Sequence, residues 1–149
     1  MRQLPHVTVA TVVERDNHFL MVKEHSDGVV VYNQPAGHLE IGESLVAAAV
    51  RETLEETGWH VTVHNLLGIY QYTSPANGIS YVRVCFIAEA DHQEPNATLD
   101  AEIIEAIWLP AAQIHNLGAQ LRSPMVSRAI TDYESGTRYP LELLSLIHI

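Results

Sequence analysis

Residues 45–57 constrain this chain more than any other stretch. Ser44 stands where an N-cap would accept a backbone N–H and Gly58 where a left-handed C-cap would close the helix. Within that helix Glu52, Glu55 and Glu56 follow an i, i+3, i+4 spacing, which at about 100° per residue gathers three carboxylates onto one face. Val46, Ala47, Val50 and Leu54 fall opposite, so they are expected to pack on a sheet and to leave the acidic face outward. Like charges so placed repel by roughly 0.2–0.5 kcal/mol per pair. The face is therefore a solvated surface that tolerates the cost, or a site where a cation removes it. Oxygen-only carboxylate ligands suit Mg²⁺, with Mn²⁺ as a substitute, better than Zn²⁺. The loop ahead of the helix favours the site, since Gly37 and Gly42 let a carbonyl or amide approach a bound ion or phosphate closely.

The rest of the chain reads as strands with two further helices. Val7–Val13 and His18–Lys23 form a hairpin around the polar turn 14–17, and Val29–Tyr32 leads into a turn at Gln34-Pro-Ala-Gly37. Strands are expected at His60–Asn65, Gly68–Tyr72, Tyr81–Ala90 and Ala106–Leu109, with a turn at 74–78. Helices start at Ala111 and at Pro124, the latter running to about Glu134. Strands mixed with few helices and no regular βαβ repeat indicate an α+β fold in a single domain spanning 1–149.

Charge and composition exclude several functions. A formal charge of −10 with no basic run argues against binding a nucleic-acid polymer, though not against nucleotides met through a bound cation. The single Cys85 rules out an intrachain disulfide framework and reads as core. No apolar run nears the ~18 residues of a membrane span, and no signal peptide is evident, so the expected location is cytoplasmic. Among nine histidines no set has zinc-ligand spacing, and His60 and His64 merely share a strand face.

The stretch from Gly37 through Glu43 to Arg51-Glu52-Thr-Leu-Glu55-Glu56-Thr-Gly58-Trp59 resembles the Nudix box, G-x5-E-x7-R-E-U-x-E-E-x-G-U with U a bulky apolar residue. Seven fixed positions match; Thr53 departs at one U position and Trp59 fills the other. Asn33–Glu40, Leu121–Pro124 and Arg138–Glu142 further resemble the bacterial NudJ-type phosphatases, over roughly residues 4–143. The resemblance implies a Nudix fold: an α/β/α sandwich around a mixed sheet. It implies a Mg²⁺-dependent hydrolase of nucleoside di- and triphosphates and of hydroxymethylpyrimidine pyrophosphate, releasing orthophosphate. Dinucleotide pyrophosphatase activity, or a catalytically weak metabolite-binding regulator on the same fold, are the competing readings. Expected partners are small phosphoanhydrides, with no membrane, and the chain is expected as a monomer or weak homodimer.

By position in the box, Glu55 and Glu56 are the first metal ligands, joined by the Gly37 carbonyl, while Glu52 is a ligand or the base that takes a proton from water. Arg51 joins the catalytic set by bracing the loop through Glu43, pointing away from the metal face. Relatives of this type recruit a further loop acid; among Asp100, Glu102 and Glu105 the expectation is Glu102. His38, Arg83 and Arg122 are candidates for substrate contact. The alternative for Arg83 is a structural ion pair, and for Arg122 and Arg138 ion pairing that holds the last helix. Residues 144–149, Leu-Ser-Leu-Ile-His-Ile, equal a translation of a transposon end used in sequencing libraries, so they are expected to be a non-native tail.

Overall fold

The computed structural model describes residues 3–147. Its elements run β1 (His6–Arg15), β2 (His18–Ser26), β3 (Val29–Asn33), β4 (Ala36–His38), α1 (Leu45–Thr57), β5 (Trp59–Thr73), β6 (Ser80–Gln93), β7 (Ile103–Pro110), α2 (Ala111–Asn116) and α3 (Pro124–Glu134). Asp16 and Asn17 both adopt positive φ, 53° and 63°, the mirror-image turn whose twist suits a two-residue hairpin. The strands order as β3-β2-β1-β6-β5, with β4 added to β1 and β7 to β2. Among the strands described, β1 and β6 pair in parallel, over His6↔Tyr81 to Val13↔Ala88, and the other pairs are antiparallel, so the sheet is mixed.

Alternation along β1 and β6 divides the core. Val9, Val84 and Phe86 point to α1, meeting Ala48, Ala49 and Leu66. Ala10, Val12, Cys85 and Ile87 point the other way, onto Val126, Ala129 and Ile130 of α3. Helices therefore cover both faces, the sandwich expected from the sequence. A third cluster, Val13, Leu20, Val61, Ala88 and Ala90, is closed by Val50, Trp59 and Trp108.

Three local expectations need correction. The segments 60–65 and 68–72 are one strand, β5, because register shifts near Val63/Asn65 and Leu66/Gly68 absorb the break in pattern without ending the ladder. Ala36–His38, expected as part of a turn, is a short strand paired to β1 through Thr8↔His38 and Ala10↔Ala36. Helix α1 is also rotated from its expected orientation. Ala48, Ala49, Thr53, Glu56 and Thr57 are buried whereas Ala47 is exposed, so part of the carboxylate face points inward. Two alanines let the helix approach the sheet closely, and two polar residues on the same side find partners there. Thr53 Oγ1 donates to the Ala49 carbonyl at 2.7 Å and lies 2.9 Å from Thr11 Oγ1. The departure from the box at Thr53 is thus a buried hydroxyl pair. In the tail, Leu144 packs beside the Val9–Phe86 cluster, while Leu146 and Ile147 are exposed. The expectation of a non-native tail extends over His148 and Ile149, which lie outside the described residues.

Candidate active site

Helix α1 begins and ends as its caps require. Ser44 Oγ accepts from Ala47 N–H at 3.0 Å, and Gly58 closes the helix at φ 77° with its N–H on the Leu54 carbonyl. Rotation of the helix brings its carboxylates against β4 and its flanks. Glu56, 8% exposed, accepts the Ala36 N–H at 2.9 Å. Glu52 lies directly on Gly37, where a Cβ would overlap its carboxylate. The site therefore needs glycine at position 37 for space, since only a residue without a side chain lets Glu52 come so close to the strand.

Arg51 ties these acids together. Its Nε and Nη2 donate to the two oxygens of Glu43 at 2.7 and 2.9 Å, a bidentate pair, and Nη2 also reaches the His38 carbonyl at 3.2 Å. Its Nη1 donates to Glu52 at 2.8 Å and Glu55 at 3.2 Å. The brace to Glu43 follows the sequence expectation, but Arg51 does not point away from the carboxylates: it is their counter-charge.

Asp100, rather than Glu102, arrives from the loop. Ligand oxygens of Glu52, Glu55 and Asp100 all lie within 4.8 Å of one another. The Asp100 N–H donates to the Glu55 carbonyl at 3.1 Å, which seats the loop on the helix. Glu102 is exposed, and its carbonyl is engaged by His25 N–H as β7 joins β2, so its side chain stays outside that group.

The electrostatics show carboxylates that Arg51 compensates only in part. Burial pushes the Glu56 carboxyl up to about 9, against the Ala36 hydrogen bond, and nearby Glu24, Glu52 and Asp100 push the same way. Burial also raises Glu52, opposed by Arg51. Desolvation, then Glu55 and Glu102, raise Asp100. Glu43 alone moves down, because Arg51 hydrogen-bonds it. A cluster of oxygen donors with too much negative charge for its surroundings fits a hard divalent cation.

Beside it lies a buried polar network. Arg83, 5% exposed, donates to Gln34 Oε1 and Asn33 Oδ1, both at 3.1 Å, while its Nε has no partner. Its partners are therefore amides, not the carboxylate of the alternative ion pair. Arg122 donates to buried Glu24 at 2.7 Å, so it anchors to β2 rather than to the last helix. Arg138 forms no ion pair among the described residues; it lies over the Tyr133 ring at 4.2 Å and donates to the Tyr133 and Thr137 carbonyls. His38 is exposed, 2.9 Å from His6, and partial desolvation followed by the charges of His6 and Arg122 lower its pKa. Glu24 and the paired amides Asn33 and Gln34 were not anticipated as site residues. Asn33 and Gln34 fall within a stretch already singled out, whereas Glu24 carries no local signal beyond a charge at a buried strand position.

Comparison with known proteins agrees with this geometry. The NUDIX domain model matches residues 4–129. Phosphatase NudJ of Escherichia coli K12 is 41% identical over 140 residues, covering 94% of this chain and 90% of its own. The solved NUDIX hydrolase from Nitrosomonas europaea superposes with a TM-score of 0.94 at 42% identity, covering 97% of this chain and 98% of its own. The NUDIX domain of Shewanella oneidensis NrtR, solved with ADP ribose, shares the fold at a TM-score of 0.71 and 17% identity, covering 91% of this chain and 90% of its own. The chain belongs to the Nudix hydrolase family and is a hydrolase acting on phosphoanhydride bonds.

Proposed function

We propose that this hydrolase is a Mg²⁺-dependent phosphatase of NudJ type, releasing orthophosphate from nucleoside di- and triphosphates and from hydroxymethylpyrimidine pyrophosphate. The grouping of Glu52, Glu55 and Asp100 oxygens, beside buried Glu56, is the observation that carries the reading. The likeness to the NudJ phosphatases supports phosphatase activity. Those four acids would hold the metal, which when bound neutralises phosphate charge and acidifies a water for attack on phosphorus. The Gly37 carbonyl would join them, on the strand that Glu52 presses against.

The chain's own groups supply the rest. Arg51 holds Glu52 and Glu55 in place while leaving each with a free oxygen. Glu52, raised by burial, would take the proton of the attacking water where its remaining oxygen is not given to the metal. Arg122 is paired with buried Glu24, whereas Arg83 is held by the neutral Gln34 and Asn33 amides, so at this end of the cleft its guanidinium would keep a positive charge suited to phosphate oxygens. His38 borders it and would contact substrate there. No helix among the described residues is long and apolar enough to cross a membrane. We infer a cytoplasmic enzyme acting on small molecules, as a monomer or weak homodimer.

Products of GTP at early time points test the assignment. GDP and orthophosphate should appear first, followed by GMP. GMP with pyrophosphate and no GDP would contradict the NudJ-type reading while leaving family membership intact.

A further inference from the structure

A second donor cluster lies at the end of the β5–β6 ribbon. The antiparallel register sets His60 directly opposite His92. Glu94 follows two residues on, and its N–H donates to the Gly58 carbonyl at 2.8 Å, so the ladder geometry persists past the strand. The imidazoles stack with centroids 4.3 Å apart and planes 18° from parallel. His60 Nε2 lies 2.5 Å from Glu94 Oε1. One nitrogen from each ring and one Glu94 oxygen fall within 4.8 Å of one another.

We propose that His60, His92 and Glu94 form a surface site for a divalent transition-metal ion, best matched by Zn²⁺, separate from the carboxylate site on α1. An ion pair explains His60 with Glu94 but leaves the second imidazole unexplained: His92 makes no side-chain hydrogen bond among the described residues, yet sits flat on His60. Two imidazoles and a carboxylate are the donor set of open zinc sites, in which a water completes the tetrahedron. Bonds of about 2.0–2.1 Å place tetrahedral ligand atoms roughly 3.3 Å apart. The present group spans up to 4.8 Å on a backbone held in register at His60↔His92, so binding would bring the side chains to that spacing. Imidazole is a poor partner for Mg²⁺ and a good one for Zn²⁺, so the two sites sort their ions by chemistry. A chain of net charge −10 also concentrates cations at its surface.

The position gives the site a consequence. Gly58 ends the helix that carries Glu52, Glu55 and Glu56, and Glu94 is bonded to it. An ion shared by His60, His92 and Glu94 cross-links the strand leaving that helix to the strand beside it, and fastens the helix end from outside.

Untagged full-length protein in excess Mg²⁺ provides the test, by calorimetric titration with Zn²⁺ and by visible absorption with Co²⁺. One Zn²⁺ should bind per chain, and Co²⁺ should give the intense visible bands of a four-coordinate ion. His92→Ala and Glu94→Gln, both exposed changes, should each weaken Zn²⁺ by at least about tenfold and abolish those bands. His64→Ala and the Glu52→Gln/Glu55→Gln pair should leave them unchanged. Zn²⁺ binding that survives His92→Ala but fails in the helix variant would overturn the proposal, as would equal weakening by His64→Ala or no binding in the wild type.

Discussion

Replacing Glu56 with Gln separates the charge of the site from its shape. Glu56 is 8% exposed, accepts one backbone N–H, and is surrounded by Glu24, Glu52 and Asp100. Burial raises its carboxyl from 4.5 to about 9, so without metal the folded protein holds it protonated at neutral pH. Because the folded value lies above the unfolded one, the associated stability is fully present below about pH 4.5 and is lost as pH rises through 9. Three units above the unfolded value, near pH 7.5, that loss reaches about 4 kcal/mol at most. Relaxation at the cleft edge takes up part of it, leaving about 2–4 kcal/mol at pH 8.5. Glutamine imitates the neutral acid and does not titrate. Metal-free Glu56→Gln should therefore melt about 5–15 °C above wild type at pH 8.5 and within a few degrees of it at pH 5. Saturating Mg²⁺ should stabilise wild type more than the variant, since only the carboxylate gains from the ion. Calorimetric melts across that pH range, with and without metal, measure both. Curves that stay parallel from pH 5 to 8.5 would refute the reasoning, because the burial of Glu56 would then carry no charge penalty.

Further outcomes follow from single contacts. Gly37→Ala drives a methyl into the Glu52 carboxylate and should cut kcat by about 100-fold or more with circular dichroism unchanged, since displaced catalytic geometry is costly. Thr53→Val strands the buried Thr11 hydroxyl and should cost about 1–3 kcal/mol in urea melts, much of it recovered in the Thr11→Val/Thr53→Val pair. Asp100→Asn should weaken Mg²⁺ activation by about tenfold or more, whereas Glu102→Gln should change it less than threefold, as metal titrations of the rate will tell.

Much of this was legible where the cause is local. The bounds of α1 follow from Ser44 and Gly58, and the division of β6 into two faces follows from alternation through Val84, Cys85, Phe86 and Ile87. The rotation of α1 was not legible, because it depends on Thr11 and Ala36, distant in sequence, offering partners to Thr53 and Glu56. The choice between Asp100 and Glu102 turns on one backbone hydrogen bond to Glu55, which no pattern of residue types encodes. His60 and His92 meet only through strand pairing, so spacing along the chain could not reveal them.

Release of orthophosphate from GDP, followed while Mg²⁺ is titrated into metal-free wild type and Glu55→Gln, tests the central claim most directly. The account predicts no release in chelator, a saturable rise with Mg²⁺ in wild type, and a rate at least about 100-fold lower in the variant. Equal release in chelator, or a variant that matches wild type at every Mg²⁺ concentration, would contradict it.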